Sequence, residues 1–183
     1  LDDQTNTGGA GLFLLSDALL GSDTWGGVYF DNTSPYSNTW QGSDAQTWCQ
    51  DFYGDNFSAG EQGAVIATTK SDEAFISSTY SYQFAASENI LNGDKVFFLS
   101  AQEAETNEYG FTNDAARVAD YGGSAGVWWL RSPSVDYAYG AGGVNSYGNV
   151  DIYDVGDDLA ARPAFNLDLN SVLFTSAAVG GKI

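Results

Sequence analysis

The stretch Ser134–Asp158, SVDYAYGAGGVNSYGNVDIYDVGDD, constrains the fold more than any other part of the chain. It is built almost entirely from Tyr, Asp, Gly, Ser, Asn, Val and Ala. It stands between GVWWLRSP and ARPAFNLDLNSVLF, both rich in large apolar groups. So soft a segment has few side chains able to fill a core, so the flanks have to supply the packing. Val144, Val150 and Val155 recur five or six residues apart, with Gly148 between the first two. That spacing predicts a twisted β-hairpin followed by another strand, the valines pointing inward and Gly148 permitting the turn.

The flanks read as framework. GVWWLRS is a buried strand, and adjacent Trp128 and Trp129 must face opposite sides of it. One is expected to fill the core and the other to pack under the soft segment. In PAFNLDLNSVLF, Phe165, Leu167 and Leu169 alternate with period two, as in a half-buried strand. GDKVFFLS predicts a short buried strand, GLFLLSDALL a strand leading into a turn, and GGVYF a strand followed by the loop DNTSPYSN. Between these, Ser43–Gln46, Ser58–Glu61 and Ser100–Glu103 carry the Ser-x-x-Glu/Gln signal that opens a helix. Trp48 and Phe52 fall on one face of the first, near Ala45. NDAARVADYGG predicts a fourth short helix stopped by Gly122 and Gly123. The class is α+β, in one domain of 183 residues, with helices in the middle and strands at the end.

Nothing staples this fold covalently. Cys49 is the only cysteine, which excludes an internal disulfide and a multi-thiolate metal site; its neighbours Trp48 and Phe52 predict a buried thiol. The absence of histidine removes Ser-His-Asp chemistry and the commonest zinc ligand. The net charge of −18, from 24 acids against 6 bases, repels phosphate backbones and anionic headgroups, so nucleic acid and direct membrane binding are not expected. No stretch approaches the length of a membrane span.

VFFLSAQEA, YGF, GVWWLRSP, the pattern V-N-x-x-G-x-V and ARPAFNLDLNSVLF together resemble a bacterial family of uncharacterised domains with a WWLRSP signature. The resemblance implies a C-type lectin-like fold of the formylglycine-generating-enzyme-like branch. It covers most of the chain and implies a single domain over residues 1–183, with residues 1–37 carrying less of it. Many members of this group resemble variable proteins of diversity-generating retroelements. There, a reverse transcriptase copies a template with errors at adenines, and the copy replaces a C-terminal variable region. Asn codons are the usual targets, and from them Lys, Glu, Gln, Met and Trp cannot be reached. Those five types make up 21 of the 183 residues, yet residues 134–161 hold none where about three would be expected.

The resemblance implies a rigid scaffold showing residues 134–159 as a ligand-binding face. The candidate contacts are Val135, Asp136, Tyr137, Tyr139, Asn145, Ser146, Tyr147, Asn149, Asp151, Tyr153, Asp154, Asp157 and Asp158. Tyrosine supplies contact area and a hydroxyl at low ordering cost, and Ser, Asn and Gly supply adaptable hydrogen bonding. The aspartates suit a ligand bearing Arg, Lys or backbone N–H groups. Trp128, Trp129, Arg131, Val144, Gly148, Val150, Val155 and Arg162 are expected to be framework, each arginine paired with a carboxylate or backbone carbonyls. The partner is then a protein or a glycan, at a bacterial cell surface or alternatively on a phage particle, in a longer protein. No cofactor is expected.

Four other readings compete. An enzyme of the formylglycine-generating branch needs a cysteine pair, and the chain has Cys49 alone. A calcium-dependent lectin would carry Glu-Pro-Asn, Gln-Pro-Asp or Trp-Asn-Asp, which are absent; DIYDVGDD does not match an EF-hand loop, although a structural calcium elsewhere stays open. A carbohydrate-binding module of a bacterial surface protein, using aromatic platforms without metal, and a mere spacer domain complete the set.

Overall fold

The computed structural model describes residues 11–21 and 27–169. Its elements are, in order, β1 (Gly11–Leu15), α1 (Asp44–Asn56), α2 (Ala59–Ala64), β2 (Thr68–Lys70), β3 (Phe75–Ile76), β4 (Gln83–Phe84), β5 (Leu91–Asp94), α3 (Ala101–Glu105), α4 (Asp114–Arg117), β6 (Asp120–Tyr121), β7 (Ser124–Ala125), β8 (Trp128–Pro133), β9 (Gly140–Val144), β10 (Val150–Asp154) and β11 (Ala164–Asp168). The fold is mixed α+β, with short helices and small antiparallel sheets. Among the described residues one sheet has three strands, in the order β10-β9-β8, and the rest have two. β1 pairs with β11, Gly11 opposite Asp168 and Leu15 opposite Ala164, so the first and last strands among the described residues close on each other. No helix among the described residues is long and apolar enough to cross a membrane.

All three serine-initiated helices form, with one difference. Ser58 and Ser100 make complete capping boxes with Glu61 and Glu103. Ser43 accepts from Gln46 N at 3.0 Å, but its own N–H is already given to the Trp40 carbonyl. The Gln46 side chain therefore takes the Gly42 N–H and donates to Asp94 Oδ1 at 2.7 Å. Trp48 and Phe52 stack at 5.3 Å on one face of α1, and Cys49 beneath them is fully buried, its thiol pushed well up by burial and then by Asp94.

Several expected elements are corrected. Val96, Phe97, Phe98 and Leu99 are all buried but make only the single bridge Phe97–Ala164; the regular strand, β5, lies just before them. Their backbone groups go to separate partners, Phe97 to Ala164, the Phe98 carbonyl to the Arg131 guanidinium and the Leu99 carbonyl to Arg131 N, so no continuous ladder forms. GGVYF likewise yields one bridge, Val28–Leu159, because Phe30 and Asp31 both turn to donate to the Val155 carbonyl. The helix at NDAARVADYGG ends at Arg117, and Gly122 and Gly123, with φ of 59° and 90°, instead make the β6–β7 turn, which needs two left-handed residues. No strand follows β10 directly: Val155 sits in a turn, its N–H bonded to Tyr139 O at 2.8 Å. In β11 the deeper positions are Ala164 and Asn166, with Phe165 and Leu167 half-buried, as is Leu169 just past its end. Residues 170–174 of that segment lie outside the described residues.

The core is aromatic. Trp40, Trp128, Trp129, Phe30 and Phe98 are fully buried, with Phe30 against Trp129 at 5.5 Å and Trp40 against Phe98 at 5.6 Å. Each large apolar side chain so buried stabilises the fold by about 1.5–3 kcal/mol. A buried ionic network runs through it. Arg131 bonds to Glu103 Oε2 at 2.5 Å, to Asp72, and to the carbonyls of Phe98 and Asn89. Lys70 closes the other side on Glu103 and Asp72. Burial raises the Glu103 carboxyl, but Arg131 and then Lys70 overcome this and hold it at about 2. Arg162 lies over Trp128 at 4.9 Å and donates to the carbonyls of Ser16 and Arg117.

Candidate functional site

The three-stranded sheet carries the segment singled out in the sequence. β9 pairs with β10 from Val144–Val150 to Gly140–Asp154, and with β8 at Trp128–Val144 and Trp129–Gly143. Every residue of β9, GAGGV, is buried. Its glycines seat neighbouring rings: a Cβ on Gly143 would stand 2.8 Å from the Tyr153 ring, and one on Gly140 would stand 2.5 Å from Tyr137 and 2.7 Å from Ile152. Val144, Val150 and Val155 are fully buried. Trp128 and Trp129 are both buried; Trp129 meets Tyr153 edge-on at 6.3 Å and so lies under the segment.

Gly148, with φ +85°, lets the hairpin tip press on α4: a Cβ there would stand 1.8 Å from the Asp114 carbonyl oxygen. Arg117 Nε donates to the Gly148 carbonyl at 2.6 Å. At the tip Asn145 Oδ1 accepts from Tyr147 N at 3.0 Å and Asn149 N at 3.1 Å, so Asn145 shapes the turn rather than presenting a free amide oxygen. Asn149 Oδ1 accepts from the Thr79 hydroxyl. Tyr147 is 79% exposed, and no ring contact joins it to another aromatic among the described residues.

At the other end of the hairpin the candidate residues come together. The rings of Tyr137 and Tyr139 meet at 6.3 Å, and the Tyr137 hydroxyl donates to Asp154 Oδ2 at 2.6 Å. That bond, then burial and the charges of Asp154 and Asp157, raise the phenol above its ordinary range. Tyr36 joins them, its ring 6.4 Å from Tyr139. The three tyrosines are 47%, 43% and 50% exposed for Tyr36, Tyr137 and Tyr139 in turn, and Val135, Asp136, Asp154 and Asp157 are exposed as well.

The loop that brings Tyr36 is tied to the segment by Asn38. Its Nδ2 donates to the carbonyls of Ser134, Tyr137 and Gly140 at 3.1, 3.3 and 2.9 Å. Asp31 folds the loop itself, accepting from Thr33 N and Ser37 N. Neither Tyr36 nor Asn38 is among the residues singled out from sequence. Their signal was composition: DNTSPYSN shares the Tyr, Asp, Ser and Asn vocabulary of residues 134–158. STYSYQF shares its Tyr and Ser, and from it the Tyr82 hydroxyl reaches Asp151 while Tyr80 packs on Tyr82 at 5.4 Å.

Other expected contacts are reassigned. Tyr153 is half-buried over Trp129 and Gly143, not a free anchor; burial and then Asp151 push its hydroxyl up. Asp151 Oδ1 accepts from Ile152 N at 2.9 Å and Asp157 Oδ2 from Asp154 N at 3.2 Å. β10 is a sheet edge, and in the β9–β10 ladder, with its bonds at Asn145–Asn149 and Tyr139–Val155, Ile152 and Asp154 direct their N–H groups away from β9. The two aspartates thus cover the open edge. Ser146 and Asp158 leave the tyrosines altogether: they line a separate cavity of about 280 Å³ with Tyr121, Ser124 and Leu159, and Asp158 accepts from Gly27 N.

The chemistry left at the surface is that of phenols, carboxylates and amides held at fixed spacing, suited to non-covalent recognition. Among the described residues no group of three or more His, Cys, Asp or Glu side chains could hold a metal ion. The family described as Domain of unknown function (DUF6273) matches residues 11–169. No curated protein and no solved structure matches the chain.

Proposed function

The chain belongs to the DUF6273 family, and from that premise we propose that it is a non-enzymatic ligand-binding domain whose recognition surface is the tyrosine face. The observation that carries this reading is the contiguous exposure of Tyr36, Tyr137 and Tyr139 beside Asp154. Exposed aromatics grouped in this way are costly to leave in water and are the usual anchors of an interface. The framework beneath draws on them only where the Tyr137 ring sits over Gly140: the Arg131 network, the Arg162 stack and the buried valines make no use of the three rings.

The reading extends to residues 134–159 as the diversified region of a retroelement variable protein with a C-type lectin-like fold, working outside the cell on a bacterial or phage surface. The support is the resemblance at WWLRSP and RPAFNLDL, together with the absence of Lys, Glu, Gln, Met and Trp from residues 134–161. Tyr36→Ala, Tyr137→Ala and Tyr139→Ala combined should leave the melting temperature within a few degrees and abolish capture from a glycan array or a displayed peptide library. Retained capture overturns the face. The encoding locus tests the diversification separately: a near-copy of the region beside a reverse transcriptase gene, differing only at adenines, supports it, and a locus without one removes it while leaving the face.

A further inference from the structure

The described basic side chains all turn inward. Lys70 is held by Glu103 and Asp72, Lys95 by the Val65 carbonyl, and Arg117 by the Gly148 carbonyl and Asp114. Arg131 is spent on Asp72 and Glu103, and Arg162 on the carbonyls of Ser16 and Arg117. Lys182, the sixth base, lies outside the described residues. Asp136, Asp154 and Asp157 are exposed beside the tyrosines, and no described base pairs with them. Among the described residues no base supplies counter-charge at this face, which leaves that role to a ligand.

We infer that the ligand of the tyrosine face is a polypeptide segment bearing arginine or lysine, with its cation over the tyrosine rings and its donors on Asp154 and Asp157. This rests on the reading of the face as a binding surface. Arginine suits it better than lysine, because a planar guanidinium stacks on a ring while giving paired N–H groups to a carboxylate. A neutral glycan gains nothing from the negative field. A metal cation finds no cluster of three ligands among the described residues. The raised Tyr137 hydroxyl, set first by its bond to Asp154 and then by burial and the Asp154 and Asp157 charges, reports the same field.

The test is fluorescence anisotropy with a labelled Arg-Gly-Ser repeat peptide and its citrulline isostere, which keeps the shape and loses the charge. The arginine peptide should bind about tenfold more tightly, and added salt should erase the difference. Asp154→Asn with Asp157→Asn should cost about tenfold, while Asp55→Asn with Glu73→Gln, exposed acids away from the face, should cost nothing. The inference falls if the two peptides bind alike, if neither binds, or if the distant pair weakens binding as much. A neutral glycan bound by the parent and lost in Tyr139→Ala would also end the cationic ligand, yet leave the binding face standing.

Discussion

Arg131 Nη1 meets Glu103 Oε2 at 2.5 Å with both side chains essentially out of contact with solvent. One comes from β8 and the other closes the cap of α3, so a single ion pair joins a strand to a helix start. Removing one partner leaves a buried charge without its mate. Arg131→Met should cost about 3–5 kcal/mol in denaturant unfolding, although the replacement keeps much of the volume. An unchanged midpoint would show that the network is dispensable.

The same pair predicts an acid limit. Glu103 is held at about 2, below the ordinary glutamate value of about 4.3 in the unfolded chain. Its contribution is therefore fully present above that unfolded value and drains away as pH falls toward 2. Melting followed by circular dichroism should show a limb there that Glu103→Gln flattens. Both proteins carry the same surface acids, so the comparison isolates the one carboxylate.

At the hairpin tip, Gly148→Ala would force a methyl group into the Asp114 carbonyl at a backbone φ of +85°. A loss of about 2–4 kcal/mol is expected from the left-handed backbone and the overpacking together. Gly156→Ala is the control: its Cβ would meet only Asp154 Oδ1, at 3.4 Å, and stability should move by less than about 0.5 kcal/mol.

Asp151 and Asp157 cover the N–H groups of Ile152 and Asp154 on the open edge of β10. Asp151→Ala with Asp157→Ala should expose a pairing template and raise self-association in sedimentation velocity, without loss of helix content. Unaltered sedimentation would assign the two aspartates no part in guarding the edge.

The sequence disclosed the parts of this molecule governed by local chemistry. Serine caps, the β8 strand, the inward valines and the left-handed Gly148 follow from short-range rules about hydrogen bonds and backbone sterics. What it concealed depends on contacts far apart along the chain. Asn38 reaches carbonyls about a hundred residues away, and only that reach brings Tyr36 to Tyr139. Tyr153 looked as free as Tyr137, and its burial depends on the register that sets it over Gly143. Asp158 shared the composition of the face yet turned to Gly27, a partner no local pattern could announce.

Gly148 was legible as a turn residue, but the glycines of β9 were not legible as seats. Their function is spatial: each missing Cβ is the space a neighbouring ring occupies. Period-two reading treats glycine as an empty position and cannot tell which ring will use it.

Gly11 lies directly opposite Asp168 where β1 pairs with β11. The stretch from Gly11 to Asp168 thus has its two ends about 5 Å apart, a gap that a turn of another protein could receive without being pried open.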